Sequence, residues 1–255
     1  MGDSPDRPRE LRVVPISGLP EIREGAALGE LIQANVEVED GDIVVITQKV
    51  VSKAEGRVRV LADVSVSERA RDLAAELGKD PALVQLILDE SRNVIRAESG
   101  VLIVETNRGW ICANAGIDSS NVPGDGVVAL LPADPDASAR RIRGEIRDAS
   151  GRAPAVIVSD SFGRPWRLGQ ADVAIGCAGL LPLEDWRGRR DREGRPLAAT
   201  VVASADEIAA AADLVRDKDA GFPAGIVRGL SHLVIEDDGP GAAAIQRPAR
   251  DDLFR

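Results

Sequence analysis

An apolar stretch, Ala155–Ser159, runs without a break into Asp160. Short apolar runs rich in Val and Ile read as buried strands. The chain must therefore bury a strand and then set an acid at its end. Trp110–Ala113 followed by the string NAGIDSSN, Asn114 to Asn121, repeats the arrangement with Asp118. Further strand-like runs are Leu11–Ile16, Asp42–Lys53, Val101–Glu105, Val127–Leu131, Val173–Leu181 and Gly225–Arg228. Between them lie helical patterns. Ala26–Ala34 has helical spacing. Ser67 caps a helix that runs through Leu77 and stops at Gly78. Pro81 opens another behind Asp80, and Asp136–Asp148 and Ala205–Val215 complete the set. Strands and helices alternate irregularly. The expectation is a mixed α/β (α+β) fold with two interleaved subdomains, not a regular doubly wound sheet. Residues 1–10 and 246–255 read as tails around one domain, 11–245. No internal repeat or low-complexity linker divides it.

Six aromatic residues in 255, with no tyrosine, leave the core to Val, Ile, Leu and Ala. Cys112 and Cys177 both sit in apolar runs and read as buried reduced thiols. Their spacing matches no zinc motif. A net charge of −10 argues against a general nucleic-acid binder. No run approaches a membrane-spanning length, and the charged N-terminus lacks the apolar segment of a secretory signal. A cytoplasmic enzyme is the default expectation.

The two acidic strings carry the chemistry. Asp118 stands beside Ser119 and Ser120, and Asp160 beside Ser161 in SDSFGRPWRLG, Ser159 to Gly169. Hard divalent cations take carboxylate and hydroxyl oxygens, and a phosphate-binding metal commonly uses only one or two protein carboxylates. Two acidic strand-end loops brought together would supply that. Either acid could instead cap a helix or close an Asx-turn.

Two common nucleotide signatures, the P-loop and GxGxxG, are absent. The string SGLP, Ser17 to Pro20, could present backbone N–H groups to phosphate or simply turn the chain. Lys49, Lys53 and Arg57 in TQKVVSKAEGR could meet phosphate or line a solvated strand face. Arg164, Arg167, Arg187, Arg189 and Arg190 make a local basic density suited to an anionic substrate, or a solvated loop. Glu207 reads as a surface helix acid. His232, the sole histidine, is assigned no role, and no serine-hydrolase or Cys-His pattern accompanies it.

In order, PISGLP, VVSKAEGR, NAGIDSSN, SDSFGRPWRLGQADVAIG, DWRGRRDREGRPL, ADEIAAAADLV and RPARDDLFR resemble the coenzyme F420:L-glutamate ligase family, also called F420-0:γ-glutamyl ligases. The resemblance runs from about Val13 to the C-terminus. It implies a fold particular to the family, an intertwined homodimer, and GTP- and metal-dependent addition of L-glutamate to the lactyl carboxylate of F420-0. Mn²⁺ or Mg²⁺ is the implied metal, with K⁺ as a further candidate ion. Carried over residue by residue, metal ligands fall on Asp118, Asp160 and Ser161. Nucleotide contacts fall on Ser17, Gly18, Leu19, Pro20, Thr47, Gln48, Lys53 and Asn121. Arg164, Arg167 and Arg187 are left for the anionic substrate. One region departs: VRDKDAGFP lacks the glycines that the family carries there, so Asp217, Lys218 and Asp219 stand where nucleotide and metal contacts are expected. In actinobacterial relatives a nitroreductase-like domain follows a DLFR-like junction, and this chain reads as a stand-alone ligase or the first half of a longer protein. Two other readings stay open: a ligase of the same fold acting on another carboxylate, and a non-catalytic nucleotide- or deazaflavin-binding module.

Overall fold

A computed structural model describes residues 10–120, 124–217 and 221–253. In chain order the elements are β1 (Arg12–Ile16), α1 (Leu28–Asn35), β2 (Ile43–Thr47), α2 (Gln48–Ala54), β3 (Val58–Val60), α3 (Glu68–Leu77), α4 (Pro81–Asp89), β4 (Ser91–Glu98), β5 (Val101–Thr106) and β6 (Ile111–Ala113). There follow β7 (Val127–Ala129), α5 (Pro135–Ser150), β8 (Ala155–Arg164), β9 (Arg167–Ala178), β10 (Glu184–Asp185), β11 (Val201–Val202), α6 (Ser204–Asp213) and β12 (Ala224–Arg228).

Strands β1, β12, β2, β8 and β9 form the central sheet in that order. Only β2 and β8 run parallel; every other neighbour in it is antiparallel. The apolar runs in β2 and β8 are explained by burial on both faces. Val44, Ile46, Val156 and Val158 pack beneath α1, α2 and α5 with Ile32, Val51, Ile142 and Ile146. Their alternates Ile43, Val45, Ala155 and Ile157 pack beneath α6 with Ala205, Ile208 and Ala209. The period of two along a strand sorts one sequence run into two cores. The strand-like run Val173–Leu181 is largely consumed here, because the second half of β9 is buried between the same two layers.

A third apolar cluster, with Ala70, Ala74, Val84, Ile87, Leu102, Val104 and Ala115, joins α3 and α4 to the small sheet β4–β5–β6. Its helix ends follow the sequence signals. The Ser67 hydroxyl accepts from the Ala70 N–H, Gly78 closes α3 at φ 64°, and Asp80 accepts from Ala82 and Leu83 ahead of Pro81. Strand β4 had no clear sequence signal; its burial alternates imperfectly, and two register shifts interrupt its pairing with β5.

Two expected boundaries differ. The β-rich run ends at Thr47, and Gln48–Ala54 is helix, so Lys53 lies in the last turn of α2 and not on a strand face. Val50 and Val51 look like strand residues but belong to a buried helical turn, where packing overrides propensity. Asp160 is not in a loop: β8 continues to Arg164 and pairs with β9 through a hairpin. Polar and glycine residues made that extension look like a loop. Both cysteines are buried and free, as expected. Among the described residues no helix is long and apolar enough to cross a membrane.

Candidate functional site

The parallel pairing of β2 with β8 ends where Thr47 stands opposite Ser159, at the carboxyl end of β2 and midway along β8. Ligands of α/β sheets commonly bind beyond such ends. A cleft of about 920 Å³ lies there, lined by Leu19, Pro20, Thr47, Gln48, Lys53 and other residues described below. Asp118, Asp160 and Ser161 line the same cleft. Strings far apart in sequence thus converge at one place.

A bulge sets the geometry. Val158 pairs with Gly176, but Ser159 pairs with Ala174, so Ile175 is skipped. Bulges bend a strand and re-aim its side chains. Beyond this one, Ser161 stands opposite Asp172 and Asp160 opposite Val173. By alternation Ser159 and Ser161 share the α6 face of the sheet, and Asp160 belongs to the α2 face.

On the α2 face, Asp118 arrives on a left-handed turn. Asn114, Ala115 and Gly116 have φ of 52°, 55° and 69°. A Cβ on Gly116 would come within 2.7 Å of Leu131. Two non-glycine residues in the left-handed region cost about 1–2 kcal/mol each, strain of the kind that accumulates at functional sites. Asp118 then bridges Ala129 through both backbone groups. Its carboxylate meets Lys49 Nζ at 2.8 Å and accepts from the Ser120 N–H at 2.7 Å and the Ser120 hydroxyl at 2.8 Å. Burial alone would raise its pKa, but these donors outweigh it and hold the carboxyl below the ordinary value.

Asp160 is the reverse. Burial first, and then the charges of Asp172 and Asp118, push its pKa up to about 7, against the opposing pull of the Ser161 N–H and Lys49. Crowded carboxylates keep a proton that separate ones would lose. Lys49 Nζ, already on Asp118, sits where positive charge is needed. Among the described residues no group of three or more His, Cys, Asp or Glu side chains could hold a metal. Two carboxylates with open positions do match a metal shared with substrate phosphates. Lys53 Nζ is 2.7 Å from Glu21 Oε1 at the rim.

On the α6 face Asp172 is held by several donors. Asp172 accepts from Ser159 Oγ at 2.8 Å, from Ser161 Oγ at 2.6 Å and from Arg216 Nη2 at 2.6 Å. The Ser161 hydroxyl, expected on metal, donates its proton to Asp172, and its oxygen keeps lone pairs that could still meet a cation. Asp172 and Arg216 line the cleft and are buried. Neither was singled out in the sequence. Asn114 also lines the cleft, and its Oδ1 is buried without a hydrogen-bond partner.

Other expected residues lie elsewhere. Ser17 and Gly18 are exposed and are not among the cleft-lining residues, although Leu19 and Pro20 are. Gly18 has φ 82°, and a Cβ there would strike Asn35 Oδ1 at 2.6 Å. Arg164 donates to the carbonyls of Leu168 and Gly169 in the hairpin tip, where Arg167 is exposed. Arg187 forms a bidentate pair with Asp185, at 2.8 Å and 2.6 Å, which pulls the Asp185 carboxyl down to about 2. None of these three arginines lines the cleft. Asn121, Lys218 and Asp219 lie outside the described residues.

A family model described as F420-0:Gamma-glutamyl ligase matches residues 18–229. Three relatives are each named coenzyme F420:L-glutamate ligase. The protein of Methanothermobacter thermautotrophicus is 44% identical over 96% of this chain and 99% of its own length. That of Archaeoglobus fulgidus is 45% identical over 96% of both. That of Methanopyrus kandleri is 44% identical over 96% of this chain and 98% of its own.

Proposed function

The chain belongs to the F420-0:gamma-glutamyl ligase family, and from that membership we propose that it joins L-glutamate to the lactyl carboxylate of F420-0, using GTP and Mn²⁺ or Mg²⁺. The observation that carries the reading is the meeting of Asp118, Asp160, Lys49 and Lys53 in one cleft where the pairing of β2 with β8 ends.

A free carboxylate is a poor acyl donor because oxide is a poor leaving group. In the proposed reaction a carboxylate oxygen takes the γ-phosphoryl group of GTP, giving an acyl phosphate and GDP. The glutamate amine then attacks the acyl carbon, phosphate leaves, and the nitrogen loses a proton. Positioning and charge neutralisation are what a protein contributes to such a transfer. Asp118 and Asp160 would hold the metal, which supplies charge stabilisation on phosphate oxygens when bound. Lys53 would leave Glu21 for phosphate, and Lys49 would be released from Asp118 toward the same charge. Leu19, Pro20, Thr47 and Gln48 wall the nucleotide end. The strained turn at Asn114–Gly116 fixes the direction from which Asp118 approaches.

The proposal extends to a homodimer in the cytoplasm. Trp166 and Leu168, 82% and 97% exposed at the β8–β9 hairpin tip, are apolar surface that a second copy would cover. Light scattering at micromolar concentration tests this; a monomeric mass counts against it.

The deciding experiment incubates the pure protein with F420-0, glutamate, GTP and Mn²⁺. The expected product has gained glutamate minus water, with GDP and phosphate released. If no such product forms while another carboxylate is amidated, only the reaction class survives. If nucleotide binds and nothing turns over, the chain is a binding module.

A further inference from the structure

Arg216 has no part in the scheme above, yet its surroundings are specific. Its side chain is 1% exposed. Nε donates to the Ala212 carbonyl at 3.2 Å, and Nη2 donates to Asp172 Oδ2 at 2.6 Å and to Ser159 Oγ at 3.2 Å. Nη1 is buried and has no hydrogen-bond partner among the described residues. A buried charged group with unmet donors is costly, and native structures seldom tolerate one without a reason. The side chain cannot easily turn to satisfy Nη1, because its other nitrogens are anchored and Asp172 is itself fixed by two serine hydroxyls. Arg216 nonetheless lines the cleft. Asn114 Oδ1, also buried, cleft-lining and without a partner among the described residues, is an acceptor and answers to a different ligand group.

We propose that Arg216 is a substrate-binding residue whose Nη1 donates to an anionic oxygen, phosphate or carboxylate, of a molecule bound in the cleft. The oxyanion enters on the α6 face of the sheet, across from Asp160. Guanidinium suits the task because its charge persists at every working pH and its donors are fixed in a plane. Asp172 is the positioning residue that holds the fork. The inference rests on the reading that this cleft takes an anionic substrate.

The test uses the full chain carrying Arg216→Met. Removing the cation alone could leave Asp172 buried and uncompensated, so Arg216→Met with Asp172→Asn is made in parallel. Circular dichroism and thermal unfolding establish which variants fold. Binding of tripolyphosphate is read by calorimetry, and the KM for glutamate and for F420-0 by product formation. At least an about tenfold loss is expected in one arm, the size of a hydrogen bond to a charged group. A loss in the tripolyphosphate arm assigns the oxyanion to the nucleotide; a raised KM assigns it to a carboxylate. A folded variant within twofold of the parent in every arm overturns the inference. If the parent binds tripolyphosphate, the variant does not, and neither forms a glutamyl product, the inference stands and the ligase reading falls. If neither binds nor turns over any substrate, both fall.

Discussion

The two faces of the central sheet meet the same cleft in opposite electrostatic states. On the α2 face, Asp118 is paired with Lys49, and Asp160 is left with a pKa pushed to about 7. On the α6 face, Asp172 has a full set of donors and its arginine is the group left short. One face crowds its carboxylates, and the other leaves a guanidinium nitrogen without an acceptor among the described residues. A metal with its anionic substrate would answer both at once. The difference teaches that the acids in this cleft are not equivalent. On the proposed reading Asp118 and Asp160 exchange partners when substrate binds, whereas Asp172 is held by three donors as part of the frame.

The sharpest way to break that distinction is to remove each acid in turn. Asp118→Asn and Asp160→Asn should each lower turnover by about 10³-fold or more, since metal assistance is worth several kcal/mol, with little loss of thermal stability. Asp172→Ala should do the reverse. It strands a buried guanidinium and should cost about 3–5 kcal/mol of stability, measured by denaturant unfolding. If Asp172→Ala folds normally and Asp160→Asn does not, the assignment of frame and site is inverted.

Smaller effects sharpen the picture. Lys53→Ala should weaken nucleotide binding by about 1.5–3 kcal/mol in calorimetry; unchanged affinity removes Lys53 from the nucleotide's path. The raised pKa of Asp160 sets a pH dependence for the metal-free protein. An unfolded aspartate loses its proton near 3.8, and the folded one keeps it to about 7. Between those values the native state holds the extra proton, so raising the pH favours the unfolded chain. Asp160 should thus make stability fall between about pH 4 and 7 and level off above, by no more than about 1.4 kcal/mol per pH unit. Asp160→Asn should remove that slope.

Much of this was legible beforehand where the signal was local. Ser67, Gly78 and Asp80-Pro81 fixed two helices because caps act over a few residues. The strands β2 and β8 were readable from their apolar runs, and Asp118 and Asp160 from the hydroxyls beside them. What stayed hidden depended on distant partners. The Asp172–Arg216 pair spans 44 residues and neither member sits in a pattern of its own. Helix α2 was masked by β-branched residues whose burial decides their conformation. The arginine-rich loop misled for a related reason: density of charge in sequence says nothing about pairing, and Arg187 is held by its near neighbour Asp185 on the surface.

The account turns on whether Asp118 and Asp160 together hold a divalent metal. Titrating Mn²⁺ into the parent, Asp118→Asn and Asp160→Asn proteins with a bound guanine nucleotide, across pH 5.5 to 8.5, tests this directly. The account predicts that parent affinity rises as the pH climbs toward 7, where Asp160 surrenders its proton, and then levels off. Each variant should lose most of that affinity. Parent-like Mn²⁺ binding by a folded Asp160→Asn protein, with activity still abolished, would contradict it and leave Asp160 as a proton-transfer group instead.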